Sequence, residues 1–228
     1  MSKISAGSYD LNKWLYGGYE NDIISVIYGG PGTGKTNFCL LAAVSQAKKD
    51  NKVLYIDTEG GFSSERIKQI AGEDNEKVLS NILLLKPTSF DEQRAVFQDL
   101  NAYLKKEISF IIVDSMAILY RIDLAEAREK KEGEIQRINS LLALQMKLLS
   151  EIARKRGIAV IVTNQVYNWE ESKNMVGGDI LRYWGKCLIE LVNEHGRRTA
   201  YLRKHRSLPE KSLNFMIDDK GIKKKGWI

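Results

Sequence analysis

Residues 29–36 read Gly-Gly-Pro-Gly-Thr-Gly-Lys-Thr and follow the phosphate-binding pattern G-x-x-x-x-G-K-[ST]. Glycines let the backbone N–H groups of such a loop surround phosphate oxygens, and the helix expected after it adds its positive N-terminal dipole. Lys35 is expected to reach the β- and γ-phosphates, and the Thr36 hydroxyl to bind Mg²⁺. The sequence therefore predicts ATP and Mg²⁺ as cofactors, bound through Gly29, Gly30, Pro31, Gly32, Thr33, Gly34, Lys35, Thr36 and Asn37.

Three polar residues at the ends of other predicted strands would complete this site. Asp114 ends the apolar run 110–114, and we expect it to order Mg²⁺ through water. Glu59 and Gln165 follow two further strands, and the carboxyl ends of parallel strands line a shared crevice. We predict Glu59 as the base that orients the attacking water, with Lys35 as the catalytic cation. Gln165 is predicted to contact the γ-phosphate and report its presence to the following loop, although a polar strand cap is the alternative.

Short apolar strands alternate with helical segments, which indicates a parallel sheet buried on both faces. The predicted strands are 23–28, 53–57, 82–85, 110–114 and 158–163, and the predicted helices are 37–49, 63–71, 90–105 and 134–156. After residue 178, a short helix leads into antiparallel strands at 187–193, 199–203 and 213–217. We therefore predict one α/β domain over residues 1–228, with a mainly parallel central sheet, helices on both sides, antiparallel strands at the C-terminal edge, and a flexible tail from 221 to 228.

The charge of the chain is concentrated at its C-terminal end. Residues 194–228 hold ten basic and four acidic residues, an excess that equals the net charge of +6 of all 228 residues. Such clustering indicates a polyanion as partner, and a solvated tail is the alternative. No apolar run is long enough to span a membrane, no signal peptide is evident, and Cys39 and Cys187 are predicted to be buried free thiols. We expect a cytoplasmic protein without membrane contact.

Several separated segments resemble the RecA/RadA recombinase family, in particular its short archaeal paralogues. The segments are 55–62, 64–66, 114–115, 119–121, 163–166, 177–178 and 208–210. The resemblance implies a RecA-like P-loop NTPase core in which Glu59 is the catalytic glutamate and Arg66 stacks on the adenine. It further implies two DNA-binding loops, of which the first begins near residue 121 and the second ends near residue 178. Residues 208–210 would form a cap on the ATP of a neighbouring subunit, in a homo-oligomer with ATP at the interface.

The sequence departs from that family in ways that bear on activity. It begins at the ATPase core, so the N-terminal DNA-binding domain of the family is expected to be absent. The predicted second DNA loop, 166–176, is short and carries Glu170 and Glu171 against Lys173, and the first, 121–133, balances four basic against four acidic residues. Neither loop is a basic channel, so we predict no robust filament and no efficient strand exchange. Because members of the family complete their ATP sites across subunit contacts, weak ATP hydrolysis is expected as well.

The segment 203–206 offers a substitute for basic loops. The family has an acidic cap residue where Lys204 stands, and the resemblance implies that Arg203, Lys204, His205 and Arg206 contact the DNA backbone. Such contact would be independent of base sequence and sensitive to salt. The competing hypothesis is that Lys204 reaches the γ-phosphate of a neighbouring subunit. Tyr167 and Trp169 are candidates for stacking on bases.

The favoured function is an ATP-binding, weakly ATP-hydrolysing and DNA-binding protein of homologous recombination and repair, which mediates or regulates rather than performs strand exchange. Its expected partners are DNA, the main RadA-type recombinase, and other recombination or replication proteins. One alternative is a KaiC-like ATPase switch without a DNA role. The other is a small-molecule kinase, which would need an arginine-rich lid over the phosphates; no such lid is evident between the strands, and only Arg128 and Arg137 are left open for that role.

Overall fold

Strands and helices alternate along the chain, as the apolar pattern predicts. The computed structural model describes residues 2–104, 107–127, 133–169 and 172–226, with backbone alone for 167–169 and 172–174. The described strands are β1 (Lys3–Ile4), β2 (Tyr19–Glu20), β3 (Ile24–Gly29), β4 (Lys52–Asp57), β5 (Ile82–Leu85), β6 (Ile108–Asp114), β7 (Ala159–Trp169), β8 (Ser172–Met175), β9 (Cys187–Glu194), β10 (Arg197–His205), β11 (Lys211–Asp218) and β12 (Gly221–Lys224). The described α-helices are α1 (Tyr9–Trp14), α2 (Lys35–Ala47), α3 (Ser64–Ala71), α4 (Asn75–Ser80), α5 (Phe90–Gln98), α6 (Leu100–Tyr103), α7 (Ile118–Ala127), α8 (Glu134–Arg156) and α9 (Gly178–Trp184).

The large sheet has the strand order β12-β11-β10-β9-β3-β7-β6-β4-β5. Strands β9, β3, β7, β6, β4 and β5 are parallel to one another, whereas β10, β11 and β12 add to the edge as antiparallel strands. β1 and β2 form a separate two-stranded sheet. The predicted α/β class, with a mainly parallel sheet and an antiparallel C-terminal edge, is confirmed.

Each central strand supplies side chains to two hydrophobic cores, because successive residues point to opposite faces of a sheet. In β4, Val53 and Tyr55 face the core that holds α2, α3 and α4. Leu54 and Ile56 face the second core, which holds α5, α7 and α8. This burial on both faces explains why the central strands are almost continuously apolar. None of the helices in the described ranges is long and apolar enough to cross a membrane.

Two segments differ from the elements that the sequence predicts. β7 continues past residue 163 to Trp169 and forms an antiparallel hairpin with β8, so the loop predicted over 166–176 is instead mostly strand. β-Branched and aromatic residues favour strand in this segment. The single helix predicted over 90–105 is also wrong in detail, because α5 ends at Gln98 and α6 follows it.

The flexible tail predicted from residue 221 is wrong for its first part. Gly221–Lys224 forms β12, which pairs with β11, and Ile222 is only 2% exposed. The Lys224 amide also donates to Asp10 Oδ2 at 2.7 Å. Gly221 has φ of +127°, and a Cβ there would lie 2.6 Å from Leu41 Cδ2, so this position needs glycine. The run of lysines suggested a solvated tail, but one buried isoleucine within it anchors the strand.

Cys39 and Cys187 are free and buried, as predicted. Burial raises the pKa of the Cys187 thiol to about 12. Neither cysteine is therefore a reactive thiolate near neutral pH.

Candidate functional site

The loop between β3 and α2 has the backbone geometry of a phosphate cradle. Gly32 and Gly34 adopt φ values of +68° and +111°, which a residue with a Cβ rarely adopts. A Cβ on Gly30 or Gly32 would meet nothing within 4 Å, so the space above the loop is open to a ligand. The N-terminal turn of α2 begins at Lys35, directly after this loop. Polyphosphate therefore fits here by backbone shape and helix dipole.

Lys35 is buried and lies across the mouth of the loop. Its Nζ donates to the carbonyl oxygens of Gly29 at 3.0 Å and Gly30 at 2.9 Å. Burial lowers the pKa of Lys35, whereas the nearby carboxylates of Glu59 and Asp114 act in the opposite direction. The two carbonyl oxygens are neutral acceptors. A bound phosphate group would give the Lys35 ammonium a charged and therefore stronger acceptor.

The residues predicted to hold Mg²⁺ meet beside Gly61. A Cβ on Gly61 would lie 3.2 Å from Thr36 Oγ1 and 3.9 Å from Asp114 Oδ2, so both oxygen atoms face the same small space. Within the described ranges, no group of three or more His, Cys, Asp or Glu could hold a metal ion. A hydroxyl and one carboxylate suit Mg²⁺, which takes its remaining ligands from water and substrate phosphates.

Asp114 is fixed by partners that the sequence analysis missed. Its Oδ1 accepts from Thr163 Oγ1 at 2.5 Å, and its Oδ2 accepts from Tyr55 Oη at 2.9 Å. β6 lies between β4 and β7, and this order of strands brings all three side chains together. No local motif predicts the order of strands in the sheet. The sequence therefore did not indicate that Tyr55 and Thr163 contact Asp114.

Glu59 and Gln165 meet directly, although 106 positions separate them in sequence. Gln165 Nε2 donates to Glu59 Oε1 at 3.0 Å. Both side chains line a cavity of about 470 Å³ together with Lys35, Thr36 and Asn37. Asp57 supports the turn that carries Glu59, since its carboxylate accepts from the amides of Gly61 at 3.0 Å and Phe62 at 3.1 Å. The predicted catalytic residues are thus brought to one cavity with the phosphate loop.

Arg66 lies beside this cavity, where it connects three elements. Its Nε donates to Asn37 Oδ1 at 2.9 Å. Its Nη2 and Nη1 donate to the carbonyl oxygens of Asp218 at 2.6 Å and Asp219 at 3.1 Å, in the turn between β11 and β12. The guanidinium therefore has fixed partners on one side of the nucleotide cavity, and its stacking on adenine stays a prediction.

The side chains of the basic segment 203–206 contact other residues of the same chain. β10 has a bulge between Leu202 and Lys204, which shifts the direction of the following side chains. Arg203 pairs with Glu190 at 2.7 Å and lies 4.4 Å from the centre of the Tyr201 ring. Lys204 Nζ donates to the carbonyl oxygens of Arg182 at 3.0 Å and Gly185 at 2.9 Å, at the C-terminal end of α9.

His205 and Arg206 belong to a second set of contacts around Glu20. Arg206 donates to Glu20 at 2.5 Å and to Asp22 at 3.0 Å. The His205 side chain is 2% exposed and lies 3.8 Å from Glu20, and burial lowers its pKa. The side chain of His205 is therefore held against Glu20. DNA contact by Arg203, Lys204, His205 and Arg206 stays a prediction.

The two predicted DNA loops are described only in part. α7 extends to Ala127, so the first part of the segment 121–133 is helical rather than loop. Residues 128–132, with Arg128, and residues 170–171, with Glu170 and Glu171, lie outside the described residues, as do the side chains of Tyr167, Trp169 and Lys173. Arg137, the other candidate for a kinase lid, pairs with Glu134 at 3.0 Å on α8.

Comparison with known proteins agrees with this arrangement of motifs. A family model described as Rad51 matches residues 1–225. Similar proteins named "DNA repair and recombination protein RadB" come from Methanobrevibacter smithii, Methanocaldococcus jannaschii and Methanothermobacter thermautotrophicus. They are 40%, 39% and 37% identical to this chain over 223, 212 and 223 residues, respectively. Each alignment covers 93% of this chain and 92%, 98% and 92% of the relatives.

Proposed function

Because the chain belongs to the Rad51 family, we propose that it binds ATP with Mg²⁺, hydrolyses it slowly and binds DNA as a mediator or regulator of homologous recombination and repair. The family membership confirms the resemblance to RecA/RadA recombinases and their short archaeal paralogues. Members of this family are ATPases in general. The named relatives are called DNA repair and recombination proteins, which supports this role over a KaiC-like switch or a small-molecule kinase.

The observation on which the proposal depends is the hydrogen bond between Gln165 and Glu59 in the cavity of the phosphate loop. A γ-phosphate in this cavity would offer the Gln165 amide a stronger, charged acceptor. Glu59 would then be released to orient a water molecule. Gln165 belongs to the strand that continues into the β7–β8 hairpin, so the same exchange of partners would alter the hairpin.

When bound, Mg²⁺ would neutralise charge on the β- and γ-phosphates. Thr36 and Asp114 are the residues that would hold it, and Lys35 would reach the same phosphates. Slow turnover is proposed because family members complete their ATP sites across subunit contacts, and the predicted DNA loops, which are not basic on balance, do not favour a robust filament. The proposed partners are DNA, a main recombinase of the RadA type and a second copy of the chain.

The proposed DNA surface surrounds Lys204. Tyr183 is 69% exposed and packs edge-on against Trp184, with ring centres 5.3 Å apart. Lys186 lies 5.7 Å from the centre of the Tyr183 ring. Burial, and after it the charge of Lys186, lower the pKa of Lys204. Clustered cations beside an exposed aromatic ring suit a single strand, whose phosphates pair with lysine and whose bases stack.

Two substitutions separate nucleotide binding from hydrolysis. Lys35→Ala is expected to weaken Mg²⁺-dependent ATP binding by about tenfold or more, because a charge-assisted contact is lost. Glu59→Gln is expected to retain ATP binding and to lose at least about 100-fold in turnover, within the usual contribution of a general base. Equilibrium binding and single-turnover hydrolysis would measure both.

Glu151→Gln is the matched control for Glu59→Gln, because Glu151 is a partly exposed glutamate on α8 that pairs with Lys155. Glu151→Gln should change neither ATP binding nor the rate of turnover. ATP binding that does not depend on Mg²⁺, or that survives Lys35→Ala intact, would contradict the proposed site.

A further inference from the structure

We propose that Arg198 is a further nucleotide-binding residue, which contacts the polyphosphate of ATP from within the same chain. The inference rests on the proposed ATP site. It adds a cation that neither the phosphate-loop motif nor the family resemblance in the sequence analysis identified. Arg198 lies 162 positions after Thr36, on the antiparallel part of the sheet.

The strand geometry directs Arg198 toward the phosphate loop. Side chains alternate along β10, so Arg198 shares a face with Ala200 and Leu202, both of which are buried in the core that contains α2. On the neighbouring strand, Arg198 is paired with Phe215, whose ring packs edge-on against Phe38 of α2 at 5.4 Å. Arg198 therefore belongs to the sheet face that covers the beginning of α2.

Arg198 lines the same cavity as the predicted catalytic and phosphate-binding residues. The lining includes Gly32, Lys35, Glu59 and Gln165. The wall on the Arg198 side also includes Ile217, whose Cδ1 would lie only 2.8 Å from a Cβ on Gly34. The β10–β11 wall is thus in close contact with the loop, and a polyphosphate held by the loop lies within the space that Arg198 borders.

The Arg198 side chain has a buried donor without a hydrogen-bond partner in the part of the chain that the structure describes. Its Nε is buried and makes no hydrogen bond there. Two other arginines on β10 and just after it do have partners: Arg203 pairs with Glu190, and Arg206 with Glu20. A buried, charged donor without a partner costs free energy, so such groups are normally satisfied by an anion. The exception at Arg198 occurs where an anionic ligand is expected.

Polyphosphate is the anion that best fits this position. Guanidinium binds phosphate oxygens through two parallel N–H groups, which gives both strength and orientation. Lys35 lines the same cavity, so two cations from different elements, α2 and β10, would be available to the phosphate chain. Arg66, the residue predicted to contact adenine, does not line this cavity, which separates the phosphate end from the base end.

DNA is the competing ligand, because Arg198 also borders a second cavity with the basic residues Arg197 and Lys225. The two possibilities are distinguished by measuring the binding of ATP and the binding of DNA in separate experiments. Arg198→Ala is expected to weaken binding of a fluorescent ATP analogue, in the presence of Mg²⁺, by about tenfold to 100-fold, the usual effect of losing a charged hydrogen bond. Its affinity for a single-stranded oligonucleotide, without nucleotide, should equal that of the wild type.

Arg197→Ala is the matched control, because it removes the same charge from the next residue, whose side chain points to the opposite face of β10. It should bind ATP as the wild type does. Arg198→Lys keeps the charge but not the paired donors, and should lie between the wild type and Arg198→Ala. Thermal unfolding would show whether the variants are folded. If Arg198→Ala does not fold, Arg198→Lys is the variant on which the binding test relies.

Wild-type-like ATP binding by both Arg198 variants would overturn the inference and leave the proposed ATP site intact. Loss of oligonucleotide binding in Arg198→Ala, with ATP binding unchanged, would also overturn it and assign the residue to DNA. Absence of ATP binding in the wild type would overturn the proposed function and this inference together.

Discussion

Asp114 illustrates how single residues in this site depend on partners distant in sequence. Both of its carboxylate oxygens accept hydrogen bonds, from Thr163 and from Tyr55, so its orientation is fixed before a metal arrives. Residues that orient a metal-binding carboxylate act through it rather than on the metal. Tyr55 is therefore a positioning residue, and its hydroxyl is the atom whose removal tests this role with the least change in shape.

Tyr55→Phe is expected to raise the Mg²⁺ concentration needed for half-maximal ATP binding by about tenfold, the lower end of the effect of such supporting residues. The phenyl ring keeps its packing against Phe62, at 5.1 Å between ring centres, so the fold should persist. Titration of ATP binding with Mg²⁺ measures the change. Tyr9→Phe, at an exposed tyrosine of α1, is the control, and equal Mg²⁺ curves for both variants would contradict the assigned role.

Elements differ in how well their sequence predicts them. β3, β4 and β6 are predicted to within two residues at each end, because burial on both faces leaves mostly apolar runs. The β7–β8 hairpin and β12 are not, because polar and basic residues alternate there with single apolar ones. In β12 the signal is reduced to Ile222, and only its packing in the core that contains α2 distinguishes a strand from a tail.

Ile222→Ala is expected to lower the free energy of unfolding by about 2–4 kcal/mol, because it removes a buried side chain and leaves a cavity. Denaturant unfolding, followed by circular dichroism, measures the difference. Met216→Ala on the adjacent strand is the control, since Met216 is 45% exposed and should cost less than about 1 kcal/mol. If Ile222→Ala is as stable as the wild type, residues 221–224 behave as the tail that the lysines suggest.

At the scale of the whole molecule, the motifs predict which site residues lie together, but not which partners the basic side chains bind. The phosphate loop, Asp114, Glu59 and Gln165 converge because parallel strands share one ligand-binding edge, a rule that sequence reasoning can apply. Tyr55, Thr163 and Arg198 could not be predicted, because their positions depend on strand order and on the antiparallel edge. The basic excess near the C-terminus is likewise visible in composition, whereas its pairing with Glu20, Asp22 and Glu190 is not.

These internal pairs lead to a prediction about DNA binding by the whole molecule. Because Arg203 and Arg206 already have carboxylate partners, few cations are available to release counterions. Each phosphate neutralised on a single strand contributes a slope of about −0.7 to the plot of log affinity against log salt. With Lys186, Lys204 and one or two neighbours in contact, we expect a slope of about −2 to −3, far below that of a basic channel.

Lys204→Ala is expected to reduce the steepness of this slope by about 0.7 and to weaken binding of different oligonucleotides to the same extent. Fluorescence anisotropy at several salt concentrations measures both. Lys77→Ala is the control, because Lys77 lies on α4, which packs beside β5 at the far edge of the sheet from β10. An unchanged DNA slope, together with lost ATP hydrolysis in Lys204→Ala, would instead favour contact of Lys204 with the γ-phosphate of a neighbouring subunit.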